Sequence, residues 1–147
     1  SLTDLARTFT EAGGTLLLGF ATDLDQVLAV TTALRETNAP PDVGLAWELR
    51  PSSEDLGVSG AVLLTARERL GLVRLYGGGP EQRDQDGRGV GPLFVDLALS
   101  GYGGPIVLTP SRPEELPRWH KWLTSKNVVG CGSGYESRVF IAGDRSG

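Results

Sequence analysis

The chain has one cysteine and one histidine in 147 residues, and that scarcity removes whole classes of chemistry. A zinc site wants three or four His and Cys ligands, so such a site is excluded. A lone cysteine, Cys131, forms no internal disulfide and fits a reducing, cytoplasmic setting. It lies in Val129-Gly130-Cys131-Gly132 without a basic neighbour in sequence to lower its pKa, and reads as a small buried residue. A Ser-His-Asp arrangement would have to use His120, which sits in the amphipathic segment Arg118-Trp119-His120-Lys121-Trp122 and reads as a solvated surface residue. No apolar run approaches the ~20 residues that span a membrane. Ser1 to Gly13 lacks a basic n-region, so no signal peptide is expected. Basic residues are outnumbered, 14 against 18 acidic, and the net charge of −4 argues against a nucleic-acid groove. The chemistry must therefore rest on carboxylates, hydroxyls, backbone amides or a cofactor.

What is present suits one domain over residues 1–147, with a core of its own. Leu2, Leu5, Ala6 and Phe9 share one face of an N-terminal helix within residues 1–14, and Thr15–Ala21 is an apolar strand. Thr22 or Asp23 caps a helix reaching Thr37, with Leu24, Val27, Leu28, Thr31 and Leu34 on its buried side. Val43–Leu49 is a strand. Ala61–Thr65 and Leu72–Tyr76 are short apolar runs joined by a brief connection, which predicts an antiparallel hairpin. Ile106–Thr109 is uniformly apolar and is expected to be buried on both faces. A helix from Ser111 or Pro113 to about Ser125 turns Leu116, Trp119 and Leu123 inwards. A strand starts at Asn127, another spans Arg138–Ala142, and residues 143–147 form a frayed tail.

The segment with the sharpest chemical reading is Gly87-Arg88-Gly89-Val90-Gly91 ahead of a helix from Pro92 to Ser100. Glycines at every second position let successive backbone N–H groups turn towards one point. That point lies at the positive end of the helix dipole and suits a phosphate or pyrophosphate.

The order of elements resembles the GNAT superfamily of acyl-CoA-dependent N-acyltransferases. The resemblance runs from Thr15 to Ala142 and rests most on Pro80-Glu81-Gln82-Arg83 followed by Gly87–Gly91, which is similar to that family's pyrophosphate loop. It implies an α+β fold with a mixed, mostly antiparallel sheet flanked by helices. It also implies acetyl-CoA as co-substrate, bound by Leu75, Tyr76, Gly77, Gly87, Arg88, Gly89, Val90 and Gly91. Leu72–Tyr76 and Ile106–Thr109 would be neighbouring central strands that splay apart for the pantetheine arm, with a backbone N–H near Leu75 to Gly77 steadying the oxyanion. The activity implied is acetyl transfer to a primary amine of a small molecule or peptide, by direct attack. Glu48 is the candidate base. Leu123 stands where many members carry a tyrosine that protonates the thiolate, so Tyr135 is the candidate acid. A homodimer stays open.

Two other readings use the same residues. A GNAT-like domain without catalysis would only bind acyl-CoA or a protein partner. A haloacid-dehalogenase-type phosphatase would hold Mg²⁺ among Asp23, Asp25 and Asp144, although acids in the first turn of a helix are also favoured by capping alone.

Overall fold

A computed structural model describes residues 16–125 and 139–141. Strands and helices alternate: β1 (Leu17–Phe20), α1 (Leu24–Glu36), β2 (Gly44–Leu49), α2 (Ser59–Ala66), β3 (Leu70–Tyr76), α3 (Val90–Leu99), β4 (Ile106–Thr109), α4 (Glu115–Leu123) and β5 (Val139–Ile141). The five strands form one sheet in the order β1-β2-β3-β4-β5, and every neighbouring pair is parallel. The protein is therefore an α/β fold, and the expected mostly antiparallel α+β sheet is overturned.

One segment accounts for the difference. Ala61–Thr65, expected as a hairpin strand, lies inside α2. Its buried residues are Ser59, Val62, Leu63 and Ala66, the i, i+3, i+4, i+7 spacing of a helix face. With a helix in place of that hairpin strand, the segment is the crossover between β2 and β3, which are parallel.

A strand order that follows the chain has a second consequence. Right-handed crossovers that always step to the next position place every helix on the same side of the sheet. The packing agrees. α1 lies beside α2 and α2 beside α3, and Phe94 of α3 meets Trp122 of α4 edge-on at 5.1 Å between ring centroids. Consecutive order with one-sided helices is also the arrangement around the wall of a β/α barrel.

The strands alternate accordingly. Phe20, Leu45, Trp47, Leu49, Val73, Leu75, Ile106 and Leu108 are buried against the helices. The other face carries Gly19, Glu48, Arg74, Tyr76, Val107, Thr109 and Phe140, all exposed or half-buried. In β4 only Ile106 and Leu108 are buried, so that strand is not buried on both faces. Each large apolar side chain taken fully out of water contributes about 1.5–3 kcal/mol, so this one-sided row and its helices form the core.

Local signals set the ends. The Asp23 carboxylate accepts from the Gln26 N–H at 3.2 Å and caps α1. Val27 and Leu34 are buried there, whereas Leu28 points outwards. Asn38, with φ of 49°, ends the turn that follows. Strand β3 does neighbour β4, as expected, but in unbroken register from Val73↔Ile106 to Tyr76↔Thr109. The Gly77 N–H continues that ladder, donating to Thr109 O at 3.0 Å. The two strands do not splay. The irregularity in the sheet falls elsewhere, where β2 and β3 shift register beyond Leu45.

Candidate functional site

In a parallel sheet all strands end on one edge, and ligands collect there, in the loops that follow the strands. A cleft of about 580 Å³ lies at that edge, over the ends of β1, β2 and β3. Gly19, Gln26, Glu48, Arg50, Glu54 and Tyr76 are among its lining residues. The two-residue period of the strands selects them. Trp47 and Leu49 face the helices, so Glu48 faces the other way; Val73 and Leu75 do the same for Arg74 and Tyr76.

These side chains form one connected set. Glu48 and Arg74 are register partners on β2 and β3. The Tyr76 hydroxyl donates to Glu48 Oε2 at 3.3 Å and accepts from Arg74 Nη1 at 3.2 Å. That hydrogen bond, helped by the nearby Tyr76 and Glu48 charges, holds the Arg74 guanidinium above the ordinary arginine value against the opposing effect of burial. Gly19 makes room for the carboxylate, since a Cβ there would lie 3.3 Å from Glu48 Oε1. The guanidinium of Arg50 covers the Tyr76 ring at 4.8 Å from its centroid.

The walls are tied down by short polar links. The Glu54 carboxylate accepts from the Thr22 N–H at 2.9 Å and also from the Arg50 N–H, joining the loops after β1 and β2. Buried Trp47 donates from Nε1 to Thr22 Oγ1 at 2.9 Å. Gln26 Oε1 accepts from the Ala21 N–H at 2.8 Å.

The glycine loop is built differently from the expected anion cradle. The helix begins at Val90, two residues before Pro92, with Gly89 as its N-cap. Arg88 is turned towards acids: its Nη1 lies 3.1 Å from Asp55, 3.4 Å from Asp84 and 2.9 Å from Asp86. The Asp84 side chain is fully buried and accepts from the N–H groups of Leu56, Asp86 and Arg88 at 2.9, 3.0 and 2.7 Å. Burial pushes its pKa up, yet the backbone N–H groups and Arg88 outweigh this and hold it below the ordinary aspartate value. Hydrogen bonds to Asp86 and Asp84 in turn raise Arg88. Three carboxylates this close have the spacing of a cation site, but the guanidinium already stands among them. Their arrangement is a loop lock.

Of the residues singled out from the sequence, Glu48 and Tyr76 come together in the cleft. Leu75 points to the helices and is buried. Gly77, with φ of 74°, turns the chain out of β3. Gly87, Gly89, Val90 and Gly91 lie at the start of α3, where Gly87, Gly89 and Gly91 line a separate cavity of about 310 Å³ with Pro80, Arg83 and Trp122. Asp23 is engaged as a cap, and Asp25 lies exposed in the first turn of α1. Tyr135, Asp144 and Cys131 lie outside the described residues. Arg50, Glu54, Gln26 and Arg74 were not singled out. For Arg74 the signal was present, as a charged residue alternating with apolar ones in Val73-Arg74-Leu75-Tyr76.

No family model, no curated protein and no solved structure matches this chain. Among the described residues, no helix is long and apolar enough to cross a membrane.

Proposed function

We propose that the protein binds a small polar organic molecule in the cleft over the carboxyl ends of β1, β2 and β3. The observation that carries this reading is the hydrogen-bonded set Glu48–Tyr76–Arg74 on the sheet face turned away from the described helices. Glu48 and Tyr76 of that set, with Arg50 over the Tyr76 ring, present a carboxylate, an aromatic ring and a guanidinium to one cleft of about 580 Å³, a volume in the range of small-molecule sites. The set is pre-formed, because the Glu54, Thr22 and Trp47 links hold the surrounding loops. Pre-formed polar groups reduce the ordering cost of binding. The test is a screen of small polar compounds by amide chemical-shift mapping. Binders should move the Ala21, Thr22, Arg50 and Gly77 amides. A screen whose binders all leave those amides still would overturn the reading.

A second reading keeps acetyl-CoA, with its pyrophosphate at the start of α3. It is favoured by the separate cavity beside Gly87, Gly89, Gly91 and Arg83 and by the affinity of helix N-termini for phosphate. Acyl transfer to an amine was tied to a splayed, mostly antiparallel sheet, and the parallel sheet withdraws that support. Titration with acetyl-CoA tests this reading: it requires shifts at the Gly87, Gly89 and Gly91 amides.

A further inference from the structure

We infer that the ligand of the β1–β3 cleft is a hydroxylated anion, its carboxylate or phosphate taken by Arg50 and a neighbouring hydroxyl by Glu48; this rests on the cleft being the binding site. The argument follows from which polar groups there are already used. Both oxygens of Glu54 accept backbone N–H groups, from Thr22 and Arg50. Gln26 Oε1 is taken by Ala21. Arg74, which stands behind the cleft lining, donates from Nη1 to Tyr76 while its buried Nε has no partner among the described residues, and the Tyr76 hydroxyl is shared between Arg74 and Glu48.

Of the charged groups that line the cleft, two have capacity left. The Arg50 guanidinium stands over the Tyr76 ring at 4.8 Å from its centroid, and among the described residues it makes no hydrogen bond or ion pair. The ring contact leaves its N–H donors for a ligand, and a guanidinium fork matches a carboxylate or phosphate with two parallel hydrogen bonds. The Glu48 carboxylate gives Oε2 to Tyr76 and keeps Oε1 beside Gly19, where it makes no hydrogen bond among the described residues. An ionised carboxylate only accepts, so its partner must be a donor such as a hydroxyl. Both groups come from the end of β2, two residues apart, and both meet Tyr76, Arg50 over its ring and Glu48 at its hydroxyl. A molecule carrying an anionic group and hydroxyls on adjacent carbons satisfies both.

Three probes separate the possibilities: gluconate, the neutral polyol sorbitol with the same chain length, and glucose 6-phosphate. Binding is measured by amide chemical-shift titration of the whole chain. Gluconate or glucose 6-phosphate should bind on the order of tenfold more tightly than sorbitol, the scale of a charge-assisted hydrogen bond. Whichever of the two binds better assigns carboxylate or phosphate. Arg50→Gln, at an exposed position, should abolish the preference, so that both anions bind this variant no more tightly than sorbitol does. Glu48→Gln should weaken all three compounds together.

Equal binding of anions and sorbitol to the wild type would overturn the inference while the cleft reading stood. Preference for the anions that survived Arg50→Gln would do the same. If Glu48→Gln changed nothing, the hydroxyl assignment would fall. If none of the three compounds moved the Ala21, Thr22, Arg50 or Gly77 amides, this inference would fail, whereas the cleft reading would fail only with the wider screen.

Discussion

The Tyr76 hydroxyl donates to Glu48 Oε2 at 3.3 Å, across the seam between two parallel strands, and this contact fixes the working face of the sheet. Both residues alternate with side chains buried against the helices, Trp47 and Leu49 around Glu48 and Leu75 before Tyr76. The same alternation that builds the core thus aims the polar set away from it.

Tyr76→Phe removes the hydroxyl that bridges Arg74 and Glu48 and keeps the ring beneath Arg50. Stability should change by no more than about 1 kcal/mol, the net worth of an exposed hydrogen bond. The Glu48 carboxylate should lose its orientation, and ligand affinity should fall several-fold. Urea unfolding and ligand titration on the same variant check both halves.

Leu63 and Leu64 give the sharpest stability contrast, because the helix turns one inwards, at 2% exposure, and the next outwards, at 68%. Leu63→Ala should cost about 2–5 kcal/mol, as deletion of a buried leucine side chain does. Leu64→Ala should stay within about 0.5 kcal/mol of wild type. Urea midpoints of the two variants measure the difference. Similar losses at both positions would contradict the helix and, with it, the parallel pairing of β2 and β3.

That segment also shows where the sequence was legible and where it was not. β4 and the cap at Asp23 could be read directly, because a glycine-proline break and a first-turn acid mark them locally. The β3–β4 adjacency was legible too. Strand direction was not: it turned on whether Ala61–Thr65 was helix or strand, and a short apolar run has no period sharp enough to tell them apart. Glu48 and Tyr76 were visible as isolated candidates. Their meeting depends on the register between β2 and β3, and Arg50 joins them through a loop held by Glu54, a link that no local pattern encodes. The glycine loop shows a further non-local feature. Its local pattern suits phosphate, but Arg88 is claimed by Asp55 and Asp86, both exposed, and by Asp84 at the buried centre of the loop.

Asp84→Asn should lower the urea midpoint at neutral pH more than Asp86→Asn, because Asp84 alone accepts three backbone N–H groups. The pH dependence has a defined sign. A carboxyl whose folded pKa lies below its unfolded value stabilises the fold above the ordinary aspartate value of about 3.9, and that contribution is lost as pH falls through the folded value. The gap between wild type and Asp84→Asn should therefore be constant around neutral pH and close only in acid below the ordinary aspartate range. A gap that closed near pH 6 would contradict the assignment.

Ser59 tests the opposite case, a buried polar group without a partner. The residue is 1% exposed, and among the described residues its hydroxyl makes no hydrogen bond. Ser59→Ala removes an unsatisfied group and should leave stability unchanged or raise it by up to about 1–3 kcal/mol. Thermal unfolding of the variant checks this. A loss of stability would mean that the hydroxyl has a partner.

The most direct measurement of the central claim is an amide map of the wild-type chain titrated in parallel with gluconate and with acetyl-CoA. The account predicts that gluconate moves Ala21, Thr22, Arg50 and Gly77 at the carboxyl ends of β1–β3 and leaves the amides of Gly87, Gly89 and Gly91 in place. Shifts confined to those three glycines with acetyl-CoA, and none in the β1–β3 cleft with either compound, would contradict it.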